Sequence, residues 1–145
     1  MPRILRLLKK YSLKATLFVT GWAMERYPEV VAEIVAQGHE IGHHGYHHEW
    51  LDDIGLDEEK VIMNKGISLI KDFVSGGPVG YRSPSWEFSP HTIRLLKENH
   101  FTYTSNMMNS DLPYLHKLDS EEIDLVELPV SWIMDDAPIF CTAPD

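Results

Sequence analysis

A single cysteine, Cys141, stands in the 145-residue chain. One thiol cannot form an internal disulfide, which excludes a cross-linked small scaffold. With no nucleophile motif around it, Cys141 reads as a free thiol near a chain end. Basic residues are scarce: 13 Lys and Arg stand against 22 Asp and Glu, a formal charge of −9. Binding a phosphate backbone needs a Lys/Arg surplus on at least one face, so no nucleic-acid partner is expected. The densest basic group, Arg3, Arg6, Lys9, Lys10 and Lys14, is spaced like the wet side of an amphipathic helix. No apolar run approaches the ~18 residues a membrane span takes, so no membrane partner is expected. Ala15–Val19 is too short for a secretion signal, and cytoplasmic residence is the expectation.

Hydrophobic residues make up 43 % of the chain and charged ones 24 %, which suits a soluble globular protein rather than a disordered one. The length suits one domain over residues 1–145. Ile4, Leu5, Leu7, Leu8 and Tyr11 form a helical stripe within 3–11. The β-rich run 16–20 follows, then a helix from Pro28 through Ala36 with Gly38 as its C-terminal cap. Another helix is expected from Asp57, with Glu58 and Glu59 in its first turn, closing at Gly76-Gly77-Pro78. Strands are expected over 79–82, 101–104 and 125–130, with a helix capped by Ser89 and opened by Pro90 between the first two. Strands separated by helices imply parallel βαβ units, hence an α/β barrel or open sheet. A barrel begins with a strand, whereas this chain opens on a helix. A strand is therefore expected ahead of Met1, in keeping with a fragment or truncated product, or with a naturally short variant.

Four of the eight histidines fall between His43 and His48, in Gly42-His43-His44-Gly45-Tyr46-His47-His48-Glu49. Neutral imidazole is a common ligand for zinc and similar metals, and two rings four residues apart on a helical turn can reach one ion. His39/His43, His43/His47 and His44/His48 share that spacing, which does not choose among them; a cluster of hydrogen-bonded or surface histidines is the plain alternative. A second signal is Arg82-Ser83-Pro84-Ser85-Trp86, expected at the C-terminal end of a strand, where parallel α/β folds build active sites. Arg82 there can hold a carboxylate through paired hydrogen bonds, and Trp86 can wall a pocket for a sugar ring or acyl group. A salt-bridged Arg and a half-buried Trp serving structure alone fit equally well. Asp111, Asp135 or Asp136 could complete a site of two His and one carboxylate, although each also reads as a solvated loop acid. Trp132-Ile133-Met134 is expected in the core or the pocket wall, and Met107-Met108 in packing.

Lys14-Ala15-Thr16-Leu17-Phe18-Val19-Thr20-Gly21, Gly38-His39-Glu40-Ile41-Gly42 with His44-Gly45-Tyr46 and His48, and Arg82, Pro84 and Trp86 run in the order found in the polysaccharide deacetylase family (the NodB-homology domain). Leu128–Trp132 with Asp135-Asp136 is similar to its branch of peptidoglycan-deacetylase-like, allantoinase-like and cyclic-imide-hydrolysing members. The resemblance implies a distorted (β/α) barrel, here without its first strand and its C-terminal part. It implies that His44 and His48 bind a divalent metal, commonly zinc, with an Asp of the first strand as third ligand. Arg82 would orient the base, Pro84 and Trp86 would shape the substrate pocket, His39 would be structural, and His43 and His47 variable neighbours. The motifs carrying the base, that Asp and the acid histidine are not in this sequence, and Thr104 stands where an Arg-positioning Asp is usual. The implied activity is metal-dependent hydrolysis of non-peptide C–N bonds, with N-deacetylation of amino sugars as the reading. A small cyclic amide or ureide substrate, or a catalytically incomplete carbohydrate-binding remnant, are the alternatives. Weak or no turnover and loose metal binding are expected of the chain as it stands. An unclosed barrel edge would favour self-association into homo-oligomers.

Overall fold

The computed structural model describes residues 1–135 and Phe140. The stripe at the start of the chain folds as α1 (Pro2–Lys10), with Pro2 in its first turn and Lys9 and Lys10 at its last, where cations suit the helix dipole. Then come β1 (Thr16–Val19), a short helix α2 (Gly21–Arg26), α3 (Pro28–Ala36) and β2 (Glu40–His43). Helix α4 (Leu56–Lys71) leads to β3 (Gly80–Tyr81), and α5 (Thr92–Glu98) to β4 (Tyr103–Thr104). A hairpin of β5 (Tyr114–Leu118) and β6 (Glu121–Glu127) follows. Among the described residues no helix is long and apolar enough to cross a membrane.

These strands form one sheet in the order β1-β2-β3-β4-β6-β5, parallel throughout except for β5, which runs against β6. Register puts Val19, His43, Tyr81, Thr104 and Glu127 side by side across five strands. Residues in register on neighbouring strands share a face, and successive residues of one strand alternate faces. The row therefore lies on the helix-covered face, where His43 stacks on Tyr81 with ring centroids 5.4 Å apart and reaches the Met63 carbonyl of α4. A β-carbon at Gly66 of α4 would lie 2.2 Å from His43 Nε2, so only glycine lets the helix approach the ring. One apolar cluster joins Met63, Tyr81, Leu95, Leu96, Phe101, Ile123 and Leu125; another joins Leu5, Met24, Val31, Ile34, Ile41 and Ile70. Each fully buried Leu or Ile in them is worth roughly 1.5–3 kcal/mol of transfer free energy.

Several expectations shift. The α1 stripe is only partly covered: Leu5 is buried, but Ile4, Leu7 and Tyr11 are exposed. Helix α5 starts at Thr92 rather than at Ser89-Pro90; Ser89 and Thr92 instead turn their hydroxyls to the buried Glu59 carboxylate. Helix α4 ends at Lys71, a turn before the glycines. The last strand spans 121–127, not 125–130, since its length is set by pairing with β5, which local patterning did not reveal. Cys141 and Asp136 lie outside the described residues.

Candidate active site

Alternation along β2 decides what the histidines do. Ile41 and His43 share the core face, so His44, one residue on, turns to the opposite side. His43 is buried with both ring nitrogens engaged: Nε2–H donates to Met63 O (3.1 Å), and Nδ1 accepts from Gly45 N–H (3.2 Å). Burial pulls its pKa down to about 4 and keeps the ring neutral. His43 is thus a core residue. His39 is structural as expected: it is buried and accepts from Ala15 N–H at Nδ1 (3.3 Å).

His44 Nδ1 lies 2.7 Å from the Arg82 carbonyl. A carbonyl only accepts, so Nδ1 carries the proton and Nε2 keeps its lone pair. Among the described residues no hydrogen bond is made by Nε2. Burial lowers the pKa of His44 below its ordinary value, which also favours the neutral ring. His48 faces it, with ring centroids 5.1 Å apart and planes at 80°. The segment joining them is not the helical turn expected from the i, i+4 spacing. Gly45 (φ 68°) and His48 (φ 68°) are left-handed, and Glu49 closes the turn by accepting from Tyr46 N–H (2.9 Å) and His47 N–H (2.7 Å). A β-carbon on Gly45 would meet Glu49 Oε2 at 2.8 Å and Pro84 Cγ at 3.1 Å, so both the positive φ and the tight space favour glycine here. His47 is exposed.

The guanidinium of Arg82 is held by Ser105: Nε–H donates to its carbonyl (3.0 Å) and Nη2–H to its hydroxyl (2.8 Å), with the group 4.6 Å above the Phe18 ring. Among the described residues these two donors go to a neighbouring loop rather than to a carboxylate. Pro84 is buried under the histidine loop, and Trp86 stands edge-on to Trp132 at 4.7 Å and 78°. Both Ser85 and Trp86 have positive φ, a strain that cleft-forming turns often carry. His44, His48, Arg82, Trp86, Trp132 and Asp135 line one open cleft of about 560 Å³, together with Trp50. Of the two candidate acids among the described residues, Asp135 lines this cleft and Asp111 is exposed elsewhere. Trp132 is a wall of the cleft, whereas Ile133 and Met134 are almost fully exposed rather than core.

Sequence inspection missed a second polar cluster. The Glu127 carboxylate, fully buried, accepts from Asn106 N–H (2.7 Å), Met107 N–H (3.0 Å), Thr104 Oγ1–H (2.5 Å) and His116 Nε2–H (3.0 Å). Burial raises its pKa, but these hydrogen bonds, that of His116 foremost, outweigh burial and hold the carboxyl below its ordinary value. Asn106 in turn accepts at Oδ1 from Ser83 N–H (2.7 Å) and Oγ–H (2.9 Å). The Glu in Leu125-Val126-Glu127-Leu128-Pro129, an acid in an apolar strand, was the available signal.

The donor set suits two positions of a metal site. His44 has the required tautomer, with its other nitrogen oriented by a backbone carbonyl, and His48 stands beside it. No third His, Cys, Asp or Glu joins them among the described residues. A parallel sheet with histidines, an arginine and tryptophans at the C-terminal ends of its strands defines an α/β enzyme-type site.

The chain belongs to the polysaccharide deacetylase family, whose model matches residues 1–104. It is 37 % identical to a peptidoglycan deacetylase of Helicobacter pylori over 95 % of this chain and 55 % of that protein. The fold is similar to the crystal structure of a candidate polysaccharide deacetylase from Mycobacterium smegmatis, with a TM-score of 0.88 and 44 % identity over 99 % of this chain and 50 % of that one. It is also similar to that of the Puue allantoinase, with a TM-score of 0.82 and 28 % identity over 92 % of this chain and 44 % of that one. The chain thus spans about half the length of these proteins.

Proposed function

We propose that the protein is a metal-dependent hydrolase of non-peptide C–N bonds, acting in N-deacetylation of amino sugars. The observation that carries this reading is the hydrogen bond from His44 Nδ1–H to the Arg82 carbonyl. It aims a neutral imidazole lone pair beside His48 in a cleft walled by tryptophans. His44 Nε2 and His48 would hold a divalent ion, zinc by the chemistry of the donors. Such an ion polarises an amide carbonyl and lowers the pKa of bound water. Arg82, locked on Ser105 and Phe18, presents a fixed cation to the cleft. Pro84 sets the position of the histidine loop from below, and Trp86 with Trp132 offers the apolar faces that pyranose rings cover. The peptidoglycan deacetylase likeness supports an amino-sugar substrate, while the allantoinase likeness supports a small cyclic ureide as the second reading.

Titrating Zn²⁺ into the chain by calorimetry tests the site. About one ion per chain is expected in the wild type, with binding lost in the His44→Ala/His48→Ala double variant. Equal binding by both proteins, or none by either, would overturn the metal assignment. Binding of acetylated chito-oligosaccharide against that of allantoin then separates the two substrate readings. Sugar binding indifferent to chelator would support a binding module instead.

A further inference from the structure

We infer that Glu127 is a positioning residue for Arg82, acting across the strands through a single peptide group. The Ser105 carbonyl and the Asn106 N–H belong to the same peptide unit. Its oxygen accepts from Arg82 Nε–H (3.0 Å), and its N–H donates to Glu127 Oε1 (2.7 Å). A carboxylate on the N–H side polarises the amide and makes its oxygen a stronger acceptor, so cation and anion are coupled through the peptide between them. Beyond the half-buried Arg82 the path is sheltered: Glu127, Ser105 and Asn106 are all buried. In such surroundings a fixed charge acts at longer range than in water.

The rest of the cluster holds Glu127 in place for this task. The second oxygen, Oε2, is held by Thr104 and His116, and His116 Nε2 is also 2.7 Å from Thr104 Oγ1. Oε1 takes Met107 N–H as well, which pins the segment 105–107 as a unit. Ser83 reaches the same segment through Asn106, so hydrogen bonds tie the loops after β3 and β4 to each other. Through the main chain of Arg82 the coupling extends to His44, whose Nδ1–H rests on the Arg82 carbonyl. The consequence for chemistry rests on the proposed reading of Arg82 and His44 as site residues; the coupling itself does not.

The test is ¹⁵N NMR of the whole chain, following the Arg82 Nε–H and Asn106 N–H signals. In the wild type, Arg82 Nε–H should exchange with water about tenfold or more slowly than that of the exposed Arg94, and the Asn106 amide proton should lie well downfield. Glu127→Gln keeps an acceptor oxygen and removes the charge. In it the Asn106 proton should move upfield and Arg82 Nε–H exchange should quicken about tenfold. Thr104→Val, which removes contacts to Oε2 and to His116 but none to Oε1, should leave both signals near their wild-type values. Unchanged signals in folded Glu127→Gln, or equal changes in Thr104→Val, would overturn the inference. Should Glu127→Gln fail to fold, wild-type exchange at Arg82 as fast as at Arg94 would overturn it unaided. Zinc affinity is read separately: its absence in the wild type would defeat the proposed function and leave the NMR result standing.

Discussion

Thr104, His116 and Glu127 are buried on β4, β5 and β6, while His44 and His48 line an open cleft beyond the end of β2. Both clusters combine imidazole with neighbouring loops, yet they distribute their hydrogen bonds in opposite ways. The buried cluster spends all four acceptor contacts of Glu127 on protein donors. The open one uses one nitrogen of His44 and keeps the other toward the cleft. A polar group whose capacity is consumed internally rigidifies the fold; one left with a lone pair in a cleft is available to a ligand. The dipeptide His43-His44 shows the same contrast within two residues.

The largest effect should come from breaking the closed side. Glu127→Ala leaves His116 and two backbone N–H groups without their acceptor and should cost about 3–5 kcal/mol in urea unfolding. The His44→Ala/His48→Ala variant should stay within about 1 kcal/mol of wild type, because its rings face solvent on one side. Comparable losses in both variants would erase the distinction.

Acid should sharpen it next. The His43 pKa is lowered by burial to about 4 from 6.5, so between those values the unfolded chain binds a proton that the folded one does not. Stability is then complete above pH 6.5 and falls as the pH drops toward 4, by about 3 kcal/mol if His43 acts alone. His43→Gln should flatten the denaturation midpoint across this window; an unchanged slope would show that another group is responsible.

A smaller effect than that of Glu127 or His43 is expected in the loop joining His44 to His48. Gly45→Ala places a β-carbon at φ 68° against Glu49 and Pro84, and should cost roughly 1–2 kcal/mol. Its zinc affinity should fall by more than that of Gly55→Ala, a position with no atom near its β-carbon. Equal affinities in calorimetry would show that the loop geometry does not shape the site.

Much of this was legible in the chain. The βα alternation predicted the parallel sheet, and Arg82, Pro84 and Trp86 fell where strand-end residues of such folds gather. The choice of His44 over His43 was in principle readable too, since Ile41 marks the core face of β2 and His43 must share it. Other features were not. The His44–His48 approach depends on two left-handed residues and on Glu49 folding back, and spacing alone suggested a helix. Arg82 binding Ser105, and Glu127 meeting His116, are contacts across 23 and 11 residues, with β5 placed by pairing rather than by its own pattern.

What the sequence by itself determined is local: composition that permits a core, apolar periods that set helices and strands, a glycine where a turn needs positive φ, and the residue types able to bind a metal. What only the tertiary structure decided is how those groups share protons and acceptors. His43 became a core residue, His44 a candidate ligand and Glu127 a buried anchor because strand register and helix packing chose which side of each met protein and which met the cleft.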